Sequence, residues 1–221
     1  MHKTINNLIK IEDTVKKLEF NLQKNTKTKI IAVSKTFSMS DIQPLIQHGQ
    51  KDFGENKIQE AINKWPEIKK KNPHLKLHML GNIQTNKVKF LLPLFDYIHS
   101  LDNLKLAQKI SKEQIKKEKK PKIFIQVNIG NESQKNGIEI DFLNEFYKIC
   151  SNDLSLDIIG LMCLPPQDKN PINYFSLLQK LAKDLNISEL SMGMSNDYQE
   201  AIRYGSTYVR IGSQIFGSRI Q

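Results

Sequence analysis

The chain has 221 residues, of which 39% are hydrophobic, and this is enough for one large domain with its own core. Its formal net charge of +10 comes from 30 lysines but only 3 arginines, which indicates a general compositional bias rather than a phosphate-binding face. No apolar run approaches the roughly 20 residues that cross a bilayer. The first residues also lack the apolar stretch of a signal peptide, so we expect a cytoplasmic protein.

Along the chain, an amphipathic helix over residues 5–22 is followed by segments typical of strands and helices in alternation. The expected strands are residues 29–33, 52–54, 77–80, 97–99, 123–128, 157–161, 189–191 and 208–211. The expected helices between them are residues 40–48, 57–71, 86–91, 103–119, 140–150, 172–185 and 197–204. Ser40 with Gln43 resembles a helix capping box, and Ser195 or Asn196 is expected to cap the last helix.

Eight strands alternating with helices predict a parallel α/β fold. So many units in so few residues favour a closed (β/α)8 barrel with an extra N-terminal helix over an open sheet. No linker rich in Pro, Gly or Ser divides the chain, so we expect one domain over residues 1–221. The two cysteines, Cys150 and Cys163, form no closely spaced ligand motif, so we expect free thiols and no metal.

The first expected strand ends shortly before Lys35, in the sequence Ile-Ile-Ala-Val-Ser-Lys of residues 30–35. In a parallel barrel, residues that follow a strand gather at the mouth that carries the chemistry. Partial desolvation there lowers the pKa of a lysine and frees its amine to attack a carbonyl. The alternative is a solvated surface lysine, which is the usual situation for this residue type.

Residues after the other strands are expected to meet Lys35 at the same mouth. Gly193 and Ser195 follow the seventh strand, and Gly212 and Ser213 follow the eighth. Loops at these two places often build the phosphate site of such barrels, with backbone N–H groups and small side chains. Ordinary turn chemistry is the alternative for either loop alone.

A phosphate site opposite a strand-end lysine fits pyridoxal 5′-phosphate (PLP), whose aldehyde forms a Schiff base with a lysine. Arg210 next to the ring nitrogen could not accept its proton and would keep the ring a weak electron sink. A buried arginine paired with an acid is the alternative for Arg210. His78 is expected to be a structural histidine rather than an acid–base group.

Several segments in order resemble the pyridoxal phosphate homeostasis proteins, a family of small barrels related to the N-terminal domain of alanine racemase. They are residues 32–36, 53–56, 78–81, 127–128, 135–137, 160–162, 190–195 and 209–212. The resemblance implies a fold-type III PLP barrel in which Lys35 carries the cofactor as a Schiff base. It also implies that Asn56 lies near the ring, that Met162 packs in the pocket, and that Arg210 faces the ring nitrogen. Ser195, Gly212, Ser213 and the Gly193 loop are then expected to hold the phosphate.

The expected function is to bind, buffer and deliver PLP, with apo-enzymes as possible recipients and with no catalytic residue assigned. We expect no second β-rich domain like that of alanine racemase, and this expectation counts against the first alternative, a racemase of restricted scope. A basic protein that binds RNA or other polyanions is the second alternative, and few aromatic residues lie between basic ones to stack on bases. We expect a monomer that does not bind nucleic acid or a membrane.

Overall fold

Eight parallel strands close into a barrel in the computed structural model, which describes residues 2–25, 27–132, 136–166 and 169–217. The strands follow one another around the barrel in sequence order, and the last pairs with the first. They are β1 (Lys29–Val33), β2 (Asp52–Glu55), β3 (Lys76–Met79), β4 (Tyr97–Leu101), β5 (Lys122–Val127), β6 (Asp157–Cys163), β7 (Glu189–Met194) and β8 (Tyr208–Ile211). The predicted (β/α)8 barrel is confirmed.

Helices surround the barrel, and the predicted N-terminal helix is present as α1. The helices are α1 (Lys3–Asn21), α2 (Met39–His48), α3 (Ile58–Lys64), α4 (Pro66–Lys71), α5 (Val88–Leu91), α6 (Leu104–Lys117), α7 (Leu143–Lys148), α8 (Ile172–Asp184), α9 (Tyr198–Arg203) and α10 (Ser213–Phe216). Short 3-10 turns precede α5 and α7, and a π-helical turn follows α7. Helix α1 packs against α2, α9 and α10.

The structure corrects three expectations about helix boundaries. The single helix expected over 57–71 is two helices, because Pro66 lacks the N–H that a continuous helix needs and instead begins α4. Helix α2 begins after Ser38, so Ser40 lies inside it and the expected capping box is wrong. Helix α9 begins after Asp197, so neither Ser195 nor Asn196 caps it. The short helix α10 was not expected from the sequence.

The core has two parts. A large hydrophobic cluster contains side chains from both the strands and the surrounding helices. A second, smaller cluster is formed by Ile31, Tyr97, Phe124, Met162 and Tyr208. Strands β2, β4, β6 and β7 extend beyond their expected ends, and the added residues Glu55, Ser100 and Leu101 are buried. At these strand ends, burial of both faces of the sheet outweighs the turn preference of the small residues.

The two cysteines are free and buried, as expected. Burial raises the pKa of Cys150 and of Cys163 to about 12, so both thiols stay protonated near neutral pH. Within the described residues, no group of three or more His, Cys, Asp or Glu side chains is arranged to hold a metal ion. Nor does any helix among them combine the length and apolar character of a membrane span.

Candidate functional site

A cavity of about 910 Å³ opens at the carboxyl ends of the strands. Seven of the eight predicted binding residues line it: Lys35, Asn56, Met162, Ser195, Arg210, Gly212 and Ser213. Other described residues that line it include Phe37, Leu164, Pro166, Lys169, Met194 and Asp197. The structure thus brings together residues from both ends of the sequence, because β1 and β8 are neighbours and Ile31 pairs with Arg210.

Lys35 lies two residues beyond β1 and is partly buried. The backbone on either side of it is held in place. Ser34 N donates to Gly54 O at 2.9 Å, and Thr36 N donates to Glu60 Oε1 at 2.6 Å. Thr36 has a φ of 69°, which is uncommon for a β-branched residue and is typical of backbone held by its surroundings at a functional site.

A buried ion pair between Lys64 and Glu55 contacts this segment. Lys64 Nζ donates to Ser34 O at 3.0 Å and to Glu55 Oε1 at 2.9 Å. Glu55 is fully buried, and the same Oε1 atom accepts from Ser34 Oγ at 2.8 Å and from Trp65 Nε1 at 2.9 Å. Among the described residues Glu55 Oε2 has no hydrogen-bond partner. The Lys35 segment is therefore tied to both β2 and α3.

Glu60 completes the support. Its Oε1 atom accepts from Lys64 Nζ at 2.9 Å as well as from the Thr36 amide. Burial acts to raise the pKa of Glu60, but the hydrogen bonds from Lys64 and Thr36 outweigh it and hold the pKa below its usual range. The carboxylate therefore stays ionised near neutral pH and keeps accepting from the turn.

Asn56 and Met162 lie on other strand ends of the same cavity. Asn56 directly follows β2, and its backbone packs on Gly81, where an added Cβ would lie 2.2 Å from Asn56 O. Only glycine permits this close approach. Met162 is 1% exposed and belongs to the smaller core cluster, so it can pack against a ligand from within the barrel.

The loop after β7 contacts helix α10, which follows β8. Gln214 Nε2 donates to Ser195 O at 2.6 Å, and Gln214 N donates to Ser195 Oγ at 3.5 Å. Gly193 lies within β7 and does not line the cavity. Its φ of 89° favours glycine, and a Cβ there would lie 2.6 Å from the Cβ of Ala201. Gly193 therefore shapes the loop by letting it pack on α9.

Arg210 is 5% exposed, and its guanidinium faces the cavity from β8. Its Nη1 donates to Ser191 O at 2.6 Å and Ser191 Oγ at 2.7 Å, and Nη2 donates to Cys163 O at 2.9 Å. No carboxylate of the described residues forms an ion pair with it, so the acid partner of the alternative is not found among them. Burial lowers the pKa of Arg210, but a guanidinium remains charged in proteins.

The cavity has a positive charge balance. Its described lining carries Lys35, Lys169 and Arg210 against Asp197, which gives three cations, one carboxylate and a net of +2. Asp197 Oδ1 accepts from Met194 N at 2.6 Å and so fixes the β7 loop. An amine, a buried guanidinium and loops of small residues can together hold a ligand that has both a carbonyl and a phosphate.

Sequence reasoning missed several lining residues. Lys169 lies in a polar loop without any periodic pattern. Phe37 also lines the cavity, and it stacks on Phe216 of a distant segment at a centroid distance of 4.7 Å. His78 and Asp52 carried no recognisable signal as a pair, yet they are hydrogen-bonded at 2.9 Å. Lys135, part of one segment of the resemblance, lies outside the described residues.

Comparisons with known proteins agree with this geometry. The family model of the alanine racemase N-terminal domain matches residues 7–220. The pyridoxal phosphate homeostasis protein of Aquifex aeolicus is 37% identical over 200 residues, covering 86% of this chain and 87% of that protein. The protein of the same name from Haemophilus influenzae is 36% identical over 220 residues, covering 95% of this chain and 92% of that protein.

Solved structures give the same result. PipY of Synechococcus elongatus PCC7942 with PLP bound has a TM-score of 0.80 and 31% identity, covering 92% of this chain and all (100%) of that one. An alanine racemase of Clostridium difficile 630 has a TM-score of 0.73 at 16% identity, covering 99% of this chain and 57% of that one, and so shares the fold. The chain belongs to the pyridoxal phosphate homeostasis protein family.

Proposed function

We propose that this protein binds PLP in the cavity at the barrel mouth, holds it through Lys35 and releases it to other proteins. PLP supplies an aldehyde that condenses reversibly with amines. The observation that carries the proposal is that Lys35, Arg210, Ser195 and Ser213 line the same positively charged cavity. PipY, a relative of similar length, has been solved with PLP bound.

Each predicted residue then has a defined task. Lys35 would supply the amine that condenses with the aldehyde, with loss of water, and Asn56 and Met162 would flank the ring. The hydroxyl groups of Ser195 and Ser213 and the backbone at Gly212 contact the phosphate, with Gly193 shaping the first of these loops. Arg210 faces the ring nitrogen and, because it can only donate, leaves that nitrogen unprotonated and the ring a weak electron sink.

This arrangement favours holding the cofactor over catalysis. Racemisation needs an acid–base group on each side of the reacting carbon, each contributing about 10²–10⁴ to the rate. The described lining of the cavity contains no tyrosine, histidine or cysteine side chain to oppose Lys35. Incubation with alanine in deuterated water is therefore expected to show PLP exchange but no sustained entry of deuterium at Cα. Steady deuterium incorporation would favour the racemase alternative.

The binding proposal is tested by colour and by covalent capture. The purified protein is expected to absorb in the visible range, and borohydride is expected to fix PLP on Lys35. The Lys35→Ala variant is expected to be colourless, whereas Lys76→Ala, at an exposed strand start, stays coloured. A coloured Lys35→Ala protein whose reduced adduct maps elsewhere would contradict the proposal.

We further propose that the chain acts as a cytoplasmic monomer of one domain over residues 1–221 and that PLP-dependent apo-enzymes are its recipients. The net charge of +10 favours contact with polyanions, so the alternative of a polyanion-binding protein is tested with RNA. Binding to RNA that falls steeply with salt and survives Lys35→Ala would favour that alternative. Transfer of PLP to an apo-enzyme faster than from free solution would support delivery.

A further inference from the structure

Behind the cavity, side chains form an unbroken chain of hydrogen bonds through the barrel interior. Asp52 Oδ1 lies 2.9 Å from His78 Nε2, and His78 Nδ1 lies 2.9 Å from His99 Nε2. His99 Nδ1 lies 2.8 Å from Ser191 Oγ, which accepts a hydrogen bond of 2.7 Å from Arg210 Nη1. Asp52 is the first residue of β2, so the chain joins the cavity to the opposite mouth of the barrel.

The middle of this chain is shielded from solvent and fixed by packing. His78, His99 and Ser191 are all 0% exposed, whereas the Asp52 side chain is 21% exposed. The ring of His78 stacks on Tyr97 and the ring of His99 stacks on Phe124, each at a centroid distance of 4.3 Å. Neither imidazole can turn over without disturbing the core.

The two ends of the chain decide the direction in which its hydrogen bonds run. An ionised carboxylate only accepts, so Asp52 requires the proton of His78 on Nε2 and leaves Nδ1 as an acceptor. His99 must then carry its proton on Nε2, and its Nδ1 accepts from the Ser191 hydroxyl. The reverse order would bring two acceptors, His78 Nε2 and Asp52 Oδ1, to 2.9 Å from each other.

The directions of both pKa shifts favour neutral imidazoles near neutral pH, as this order requires. Burial lowers the pKa of His78 more than Asp52 raises it, and burial together with His78 and Arg210 lowers the pKa of His99 well below its usual value. A neutral imidazole has one donor and one acceptor. Each of the two imidazoles therefore donates one hydrogen bond from Nε2 and accepts one at Nδ1.

We infer that Asp52 is a positioning residue for Arg210, acting through His78, His99 and Ser191. The inference rests on the proposed function, in which Arg210 faces the ring nitrogen of PLP. With its own hydrogen committed to His99, Ser191 Oγ presents a lone pair to Arg210 Nη1. Without Asp52, His78 can carry its proton on either nitrogen, and the Ser191 hydroxyl is no longer held in one orientation. Arg210 then keeps its hydrogen bonds to Ser191 O and Cys163 O, but its third acceptor, Ser191 Oγ, is no longer fixed.

Nitrogen-15 NMR of the ligand-free protein tests the chain directly. Wild-type protein is expected to show His78 and His99 protonated only at Nε2. Asp52→Ala is expected to give a mixture of His78 tautomers, whereas Asp52→Asn keeps an acceptor oxygen and restores the wild-type pattern. Asp157→Ala is the matched control, because Asp157 begins β6 at the same mouth, and it is expected to change neither histidine.

Titration with PLP tests the effect on the cavity. Asp52→Ala is expected to bind about threefold to tenfold more weakly than wild type, a size usual for residues that act through a network. Asp52→Asn recovers most of this affinity, and Ser191→Ala, which cuts the chain next to Arg210, reproduces the loss. Thermal melting of each variant shows that the protein is folded.

Two results would overturn the inference: a proton on Nδ1 of either histidine in the wild type, or wild-type affinity in both Asp52→Ala and Ser191→Ala. A wild-type protein that fails to bind PLP would instead overturn the proposed function. In that case the tautomers of the ligand-free protein still decide whether the chain of hydrogen bonds has the stated direction.

Discussion

At the scale of single residues, Lys35 depends on side chains that never reach the cavity. The backbone around it is held by Lys64 and Glu60, and Lys64 in turn neutralises the fully buried Glu55. An isolated buried charge is much more costly than a buried pair. Lys64 therefore both positions the backbone next to Lys35 and stabilises the folded protein by pairing with Glu55.

We expect Lys64→Met to lower the free energy of unfolding by about 3 kcal/mol, because it leaves the Glu55 carboxylate buried without a cation. The double variant Glu55→Gln with Lys64→Met is expected to recover part of this loss, as urea unfolding can measure. The control is Arg203→Met, which removes an exposed pair with Glu200 and should change stability by less than about 0.5 kcal/mol. Equal costs for the two single variants would contradict this account.

The buried histidines predict a loss of stability in mild acid. Burial lowers the pKa of His78 and of His99 in the folded protein, so the unfolded chain binds more protons below about pH 6.5. The free energy of unfolding is therefore highest above that pH and falls as the pH decreases. One such histidine lowers it by about 1.4 kcal/mol at one pH unit below its pKa in the unfolded chain. The lowered carboxylate pKa values of Glu60 and Asp96 act only in stronger acid.

Urea unfolding at about pH 7.5 and about pH 5.5 measures this dependence. His99→Leu is expected to be less stable at both pH values but to show a smaller difference between them. His48→Gln, at an exposed position, should leave the difference unchanged. Stability that is independent of pH in this window would mean that the histidines are not held neutral.

At the scale of elements, the turn after β1 combines rigidity with backbone strain. Thr36 is exposed, and its φ of 69° costs a β-branched residue about 1–2 kcal/mol. Asparagine tolerates this region better. We expect Thr36→Asn to raise the free energy of unfolding by about 1 kcal/mol, while Thr14→Asn, in the regular helix α1, changes it little. A decrease for Thr36→Asn would show that the threonine side chain stabilises the turn.

The sequence predicts elements whose pattern is local and misses those that depend on packing. The strand over residues 29–33 was predicted with its true bounds, because a short apolar run ends at polar residues on both sides. Helix α10 has only four residues, Ser213–Phe216, and four residues are too few to show a periodic pattern. The predicted helix over 103–119 differs from Leu104–Lys117 by only one or two residues at each end.

The cavity follows the same rule. Seven predicted residues line it because strand ends meet wherever a parallel barrel closes. The partners of Arg210 and the contact between His78 and His99 could not be predicted, because they depend on which side chains point inward from strands distant in sequence. The Gly193 loop is expected from the sequence to hold the phosphate, whereas the close approach of Gly193 itself to α9 could not be predicted.

At the scale of the whole molecule, ligand binding should stabilise the barrel. A ligand at one hundred times its dissociation constant contributes about 2.7 kcal/mol. For a protein of this size that is a rise in Tm of about 5–10 °C. We expect this rise with PLP, a smaller one with pyridoxamine 5′-phosphate, which has no aldehyde, and a smaller one for Lys35→Ala with PLP. Equal shifts in all three cases would argue against a bond to Lys35.

The pairing of β8 with β1 has a consequence for synthesis on the ribosome. Lys35 is made early, but the strand that carries Arg210, on the other side of the barrel seam, is made about 175 residues later. A nascent chain that lacks β8 has an open seam, lacks Arg210, Gly212 and Ser213 of the cavity lining, and exposes the edges of its apolar strands. Capture of the cofactor must therefore wait until translation of this barrel is nearly finished.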